Sequence, residues 1–130
     1  MNKHSPIIYV VDDDVSVCDM LQDVVKSKGH SVVAVNSGEK AVEVLDKQKV
    51  SLVFLDLILP GLSGAEVLRH LKAIKSHAIV AIVSGHGESP VATEAMSLGP
   101  TFFVRKPFEV SAIRDILDLT VKLKSYGYRP

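Results

Sequence analysis

Tryptophan is missing from this chain, cysteine occurs once, and neither sign of charge is in excess. The lone Cys18 has no partner for an internal disulfide, so the fold is held by packing alone, as in a reducing compartment. Set among Val17, Met20 and Leu21, it reads as a small core residue. Fifteen basic residues balance fifteen acidic ones, which leaves no clustered Lys/Arg footprint for holding nucleic acid directly. No apolar run approaches the roughly 18–20 residues that a membrane span needs. The N-terminus leads through only five apolar residues into three aspartates, too short for a signal peptide. The expectation is a cytoplasmic protein without membrane association.

What is present is a chain of 130 residues, 47% hydrophobic, enough for one domain with a single core. Short apolar runs alternate with amphipathic stretches. Residues 7–11, Ile-Ile-Tyr-Val-Val, form a continuous β-rich run of the kind buried on both faces of a parallel sheet. Residues 14–28 carry Val17, Leu21, Val24 and Val25 at helical spacing, with Gly29 as the stop. Further strands are expected at 30–35, 51–55, 78–83 and 101–104. Helices are expected after Ser37 (Ala41, Val42 and Leu45 inward), over 64–74 (Val67, Leu68, Leu71), over 91–98 closed by Gly99, and over 110–123 (Ile113, Ile116, Leu117, Val121). Five βα units in strict alternation predict a parallel sheet with helices on both faces. Repeats, low-complexity tracts and internal linkers are absent. Residues 1–124 read as the domain, and 125–130 as a tail that is either frayed or the start of a linker.

In such sheets ligands bind beyond the carboxyl ends of the strands. The first strand is followed by Asp12, Asp13 and Asp14, the third by Asp56, the fourth by Ser84, and the fifth by Arg105-Lys106-Pro107. Asp14 fits a helix cap. Asp12, Asp13 and Asp56 together would repel one another unless a counter-charge meets them. A hard divalent cation with oxygen ligands, Mg²⁺ above all, resolves that repulsion. Lys106 brings an ammonium to the cluster, either as a plain ion pair or as a phosphate binder. Pro107 makes its preceding peptide bond a candidate for the cis form. Ser84 offers a hydroxyl beside Gly85, where backbone can approach a ligand. The five histidines lack metal-binding spacing and read as surface or loop residues. His86, two after Ser84, is a candidate neighbour of the same edge.

At these residues the chain resembles the response-regulator receiver family. The matching pieces are Val-Val-Asp-Asp-Asp at 10–14, Leu-Asp-Leu-Ile-Leu-Pro-Gly-Leu-Ser-Gly at 55–64, Val-Ser-Gly-His-Gly at 83–87 and Lys-Pro-Phe at 106–108. They stand in the family's order and cover about residues 5 to 123. The resemblance implies a flavodoxin-like (βα)5 sandwich of three layers, with a five-stranded parallel sheet in the order 2-1-3-4-5. It implies that Asp56 is the phosphoacceptor, and that Asp12, Asp13, Asp56 and the backbone carbonyl of Ile58 hold Mg²⁺. It also implies that Lys106 and Ser84 contact the phosphoryl group. Phe103 matches an aromatic switch position that is more often tyrosine, and without a hydroxyl it can signal only by rotamer. Its other reading is plain core. Pro100-Thr101 departs from the family's usual Gly-Ala pattern there. The implied partners are a sensor histidine kinase or a histidine phosphotransfer protein. A homodimer or effector surface on the fourth helix, fifth strand and fifth helix is a further expectation, with Val91, Ala95, Met96 and Val110 on those elements. The implied output is transcriptional regulation.

Three rival readings meet obstacles in the sequence. An aspartyl-phosphate phosphatase would carry a second Asp where Ile58 stands. A flavin carrier would want a phosphate-binding loop where three aspartates stand. A pseudo-receiver, an interaction module that is not phosphorylated, would have lost one of the acidic, hydroxyl or lysine positions, and this chain keeps them all.

Overall fold

The computed structural model of the protein describes residues 7–46, 49–85 and 89–130. Five strands, β1 (Ile7–Val11), β2 (Val32–Val35), β3 (Val50–Leu55), β4 (Ile79–Ser84) and β5 (Phe102–Arg105), alternate with five helices. The helices are α1 (Val15–Ser27), α2 (Gly38–Leu45), α3 (Gly64–Ala73), α4 (Pro90–Ser97) and α5 (Val110–Ser125). All strand pairs are parallel and the order is β2-β1-β3-β4-β5. The order reverses beside β1, so the ends of β1 and β3 flank a crevice.

Side-chain alternation splits the core between the two faces. Ile8, Val10, Leu52, Phe54, Ile79, Ala81 and Val83 meet α1 and α5 through Cys18, Leu21, Ile113 and Leu117. Tyr9, Val11, Val53, Leu55, Val80 and Ile82 meet α2, α3 and α4 through Ala41, Leu68, Leu71 and Ala95. Each fully buried Leu, Ile or Phe contributes about 2 kcal/mol of transfer free energy.

The helix starts follow their capping chemistry. The Asp14 carboxylate accepts from the N–H groups of Ser16 and Val17, and the hydroxyls of Ser37, Ser63 and Ser89 accept from N–H groups in the first turns of α2, α3 and α4. Pro90 opens α4, where its missing N–H costs nothing. The expected stops Gly29 and Gly99 both take positive φ.

Two expectations need correction. Val121 is half exposed, and Thr120 is the buried residue one turn beyond Ile116 and Leu117. The apolar stripe runs 113, 116, 117, 120, so the phase puts the β-branched alcohol inward. Ala95 is fully buried against the α3 side of the core, so it cannot belong to an exposed α4 surface. The last helix also runs to Ser125, and Gly127 (φ 84°) turns the chain back. The Tyr128 N–H then donates to the Leu123 carbonyl at 3.0 Å, and the Tyr128 hydroxyl lies 3.2 Å from that of Thr101.

Candidate functional site

Strand ladders carry the site residues to their places. The Asp12 N–H donates to the Val35 carbonyl (3.1 Å), the Asp56 N–H to Val11 (2.9 Å) and the Lys106 N–H to Ser84 (3.0 Å). Each therefore sits one residue past its strand with its backbone still held by the neighbouring strand. The Lys106–Pro107 peptide bond is cis, as the sequence suggested.

The side chains converge. Lys106 Nζ donates to Asp12 Oδ2 at 2.8 Å and to Asp56 Oδ2 at 3.2 Å. Asp12 Oδ1 accepts from the Asp14 N–H at 2.9 Å, and Asp56 Oδ1 faces the Ile58 N–H at 3.4 Å. Asp12 and Asp56 are 2% and 7% exposed, whereas Asp13 is exposed. Carboxylate oxygens of all three lie within 4.8 Å of one another. Asp14 is a helix cap, and its carboxyl is held below the usual range by the Ser16 hydroxyl and by the N–H groups of Val17 and Ser16.

The charges do not balance. Burial, and then the Asp12 charge, push the Asp56 carboxyl above its ordinary range, against the pull of Lys106. Burial works against the Lys106 ammonium, but the hydrogen bond to Asp12 and the charges of both aspartates outweigh it, and its pKa is raised. One ammonium thus meets two buried carboxylates, and the exposed Asp13 adds a third negative charge beside them. A donor set made only of hard oxygens, two charges short of neutrality, fits Mg²⁺.

Ser84 is fully buried at the last position of β4 rather than in a loop. By strand parity it lies on the same sheet face as Ile82 and Phe103, and Ile82 is the register partner of Phe103. Phe103 is partly buried against that core, so it holds a packing position next to the serine. His86 lies outside the described residues.

Sequence reading missed the support beneath Asp56. A Cβ on Gly64 would collide with the Asp56 carbonyl oxygen and come within 2.7 Å of the Leu57 Cα. The Gly64 N–H donates to the Leu57 carbonyl at 2.8 Å. Gly61 holds φ 75°, and the Glu39 carboxylate occupies the place its side chain would take while accepting from the Leu62 N–H at 3.3 Å. The glycines were visible in the motif, but a close backbone approach leaves no periodic signal. Cys18, expected as core, is buried and also directs its thiol to the Asp12 carbonyl at 3.1 Å. Burial pushes that thiol up to about 11, with the nearby aspartates adding to it, so it is a neutral donor rather than a nucleophile.

Comparisons with known proteins identify the family and the fold. The family model described as response regulator receiver domain matches residues 8–118. The chain is 34% identical over 115 residues to the Transcriptional regulatory protein FixJ of Bradyrhizobium diazoefficiens, covering 88% of this chain and 56% of that one. It is 31% identical over 118 residues to Sporulation initiation phosphotransferase F of Bacillus subtilis, covering 91% and 95%. It is 32% identical over 133 residues to the Response regulator protein TodT of Pseudomonas putida, covering 99% and 59%. The chain therefore spans little more than half the length of FixJ and TodT. Among solved structures, the receiver domain of NtrX from Brucella abortus superposes with a TM-score of 0.79 at 28% identity, covering 88% of this chain and 98% of that one. A response regulator receiver domain protein from Clostridium thermocellum gives 0.83 at 25%, covering 94% and 98%.

Proposed function

The chain belongs to the response regulator receiver domain family of two-component systems, and on that premise we propose that it is switched by transfer of a phosphoryl group to Asp56. The observation that carries this reading is the buried Asp56 carboxylate held at 3.2 Å from Lys106 Nζ, with Asp12 on the same ammonium. The donor is a phosphohistidine on a sensor kinase or a histidine phosphotransfer protein. A carboxylate oxygen of Asp56 attacks phosphorus opposite the histidine nitrogen, the O–P bond forms as the P–N bond breaks, and the histidine leaves with the bonding pair and takes up a proton. Little is asked of the protein beyond positioning and neutralising charge. The ladder bonds to Val11 and Val35 position the two aspartates, and Lys106 supplies positive charge for the incoming oxygens. Asp12, Asp13, Asp56 and the Ile58 backbone carbonyl would hold Mg²⁺, which supplies charge neutralisation when bound.

Readout follows from placement. The phosphoryl group adds nearly two charges and three acceptor oxygens. The Ser84 hydroxyl turns toward them, and Phe103, on the same sheet face, turns into the space released. The surface of α4, β5 and α5 then repacks for a homodimer or an effector. Met96, 51% exposed, and the partly exposed Val91 and Val110 belong to that surface. The output is transcriptional control through a further domain or a partner protein, as the name of the Transcriptional regulatory protein FixJ supports. The near full-length match to the Bacillus subtilis phosphotransferase favours a second reading, in which the domain relays phosphoryl groups to another protein. Among the described residues no helix is long and apolar enough to cross a membrane. Together with the balanced charge, this supports a cytoplasmic domain without direct nucleic-acid contact.

The test is intact mass after incubation with acetyl phosphate. Wild type with Mg²⁺ is expected to gain about 80 Da, one phosphoryl unit, and Asp56→Asn, or wild type with chelator, none. If neither acetyl phosphate nor BeF₃⁻ labels or binds the wild type, the domain is an interaction module that is not phosphorylated.

A further inference from the structure

The opposite edge of the sheet holds a feature that phosphoryl chemistry does not use. There the starts of β1 and β3 meet the C-terminal ends of α2, α3 and α5 around a cavity of about 810 Å³, within the range of small-molecule sites. Ile8, Leu45, Ile74, Leu117 and Val121 supply apolar wall. Lys49, Lys124 and Arg129 stand at it, with the imidazoles of His30 and His77. Its one acidic residue, Asp46, is engaged elsewhere, with Oδ1 at 2.6 Å from His70 Nε2. Among the described residues none of the three cations pairs with a carboxylate. Lys124 donates instead to the His77 carbonyl. Burial, and the charge of Arg129, lower its pKa, so the partly buried Lys124 ammonium feels the exposed Arg129 guanidinium nearby. Thr120 lines the same cavity, and its buried hydroxyl oxygen has no hydrogen-bond partner, a cost that folded proteins avoid.

An apolar wall edged by cations that pair with no carboxylate among the described residues complements a ligand that is apolar at one end and anionic at the other. We infer that this cavity binds an amphipathic monoanion, a small molecule with a hydrocarbon or aromatic body and a single carboxylate or sulfonate. The body covers the Leu117 and Ile74 wall, and the anionic group lies between Lys124 and Arg129. The inference does not depend on phosphorylation of Asp56 and survives if that reading fails.

The probes are octanoate, its uncharged analogue octanol, and anilinonaphthalene sulfonate as a fluorescent anion. Titration of the whole chain is followed by amide chemical shifts and by fluorescence. Saturable octanoate binding is expected, with perturbed amides at residues 49–51, 74–77 and 120–124. Octanol is expected to bind about tenfold more weakly, a difference of about 1.4 kcal/mol. The double substitution Lys124→Gln, Arg129→Gln is expected to weaken octanoate about tenfold and leave octanol unchanged. Val121→Trp fills the cavity from a half-exposed position, so it is expected to fold, as circular dichroism will verify, and to abolish both. Absence of saturable binding, equal affinity for octanol, or shifts centred on other residues would overturn the inference.

Discussion

At the carboxyl edge of the sheet, Asp12 and Asp56 share a single ammonium, while at the amino edge Lys49, Lys124 and Arg129 stand beside an apolar cavity whose one carboxylate is taken by His70. Both edges leave charge uncompensated, with opposite sign. The carboxyl edge holds its charges on backbone locked by strand ladders, so repulsion there cannot relax by movement of the chain. The amino edge holds its cations on long side chains that relax into solvent. Uncompensated charge is therefore costly at the first edge and cheap at the second, and a counter-ion has correspondingly more to relieve at the first.

The sharpest way to break this contrast is Lys106→Met. It removes the ammonium that bridges two buried carboxylates, and the expected loss is about 3 kcal/mol, read by urea unfolding at pH 7 with chelator present. The folded pKa of Lys106 is raised. Its contribution is therefore complete below the ordinary lysine value of about 10.4, and it fades only as pH rises through the higher folded value. A loss under about 1 kcal/mol would mean that the aspartates do not need their cation.

Asp56→Asn acts in the other direction. The folded pKa of Asp56 is raised, so its ionised form destabilises the native state at pH above that folded value. That penalty shrinks as pH falls through the folded pKa and is gone below the unfolded value of about 3.9. The variant is expected to be about 1.5 kcal/mol more stable than wild type at pH 7 without metal. The two melting curves should converge on acidification. Saturating Mg²⁺ should raise the wild type more than the variant. A difference independent of pH would sink the electrostatic account.

The smallest effect belongs to the amino edge. Thr120→Val keeps the shape and removes a buried hydroxyl that lacks a partner. A gain of about 1 kcal/mol is expected, visible as a higher melting temperature at any pH between 5 and 8. A loss would show that the hydroxyl is satisfied in solution.

The carboxyl edge was legible in the sequence because one rule places it: residues following parallel strands gather at one end. Asp12, Asp13, Asp56 and Lys106 need only the strand ends to be recognised, and β-branched runs mark those well. The capping roles of Asp14 and Ser37 were legible for a similar reason, since each is set by one local hydrogen bond. The amino edge was not legible. Its lining comes from the starts of β1 and β3, from the ends of α2, α3 and α5 and from the residues that follow α5, and no spacing along the chain relates Lys49 to Arg129. Helix phase was also ambiguous at Thr120 and Val121, because positions seven and eight beyond Ile113 both fall near the buried stripe. Hydrophobicity favoured valine, whereas the geometry of α5 buries threonine.

The glycines under Asp56 bear on how this domain tolerates change. At Gly64 the neighbouring atoms are main chain, the Asp56 carbonyl and the Leu57 Cα, so no choice of rotamer elsewhere makes room for even one methyl group. At Gly61 the obstacle is the Glu39 side chain, which can swing aside, although the positive φ still disfavours other residues. A library that varies the acceptor loop should therefore leave position 64 untouched, and it can explore position 61 together with position 39. Two glycines three residues apart, alike in the written sequence, set very different bounds on what evolution or an engineer can write there.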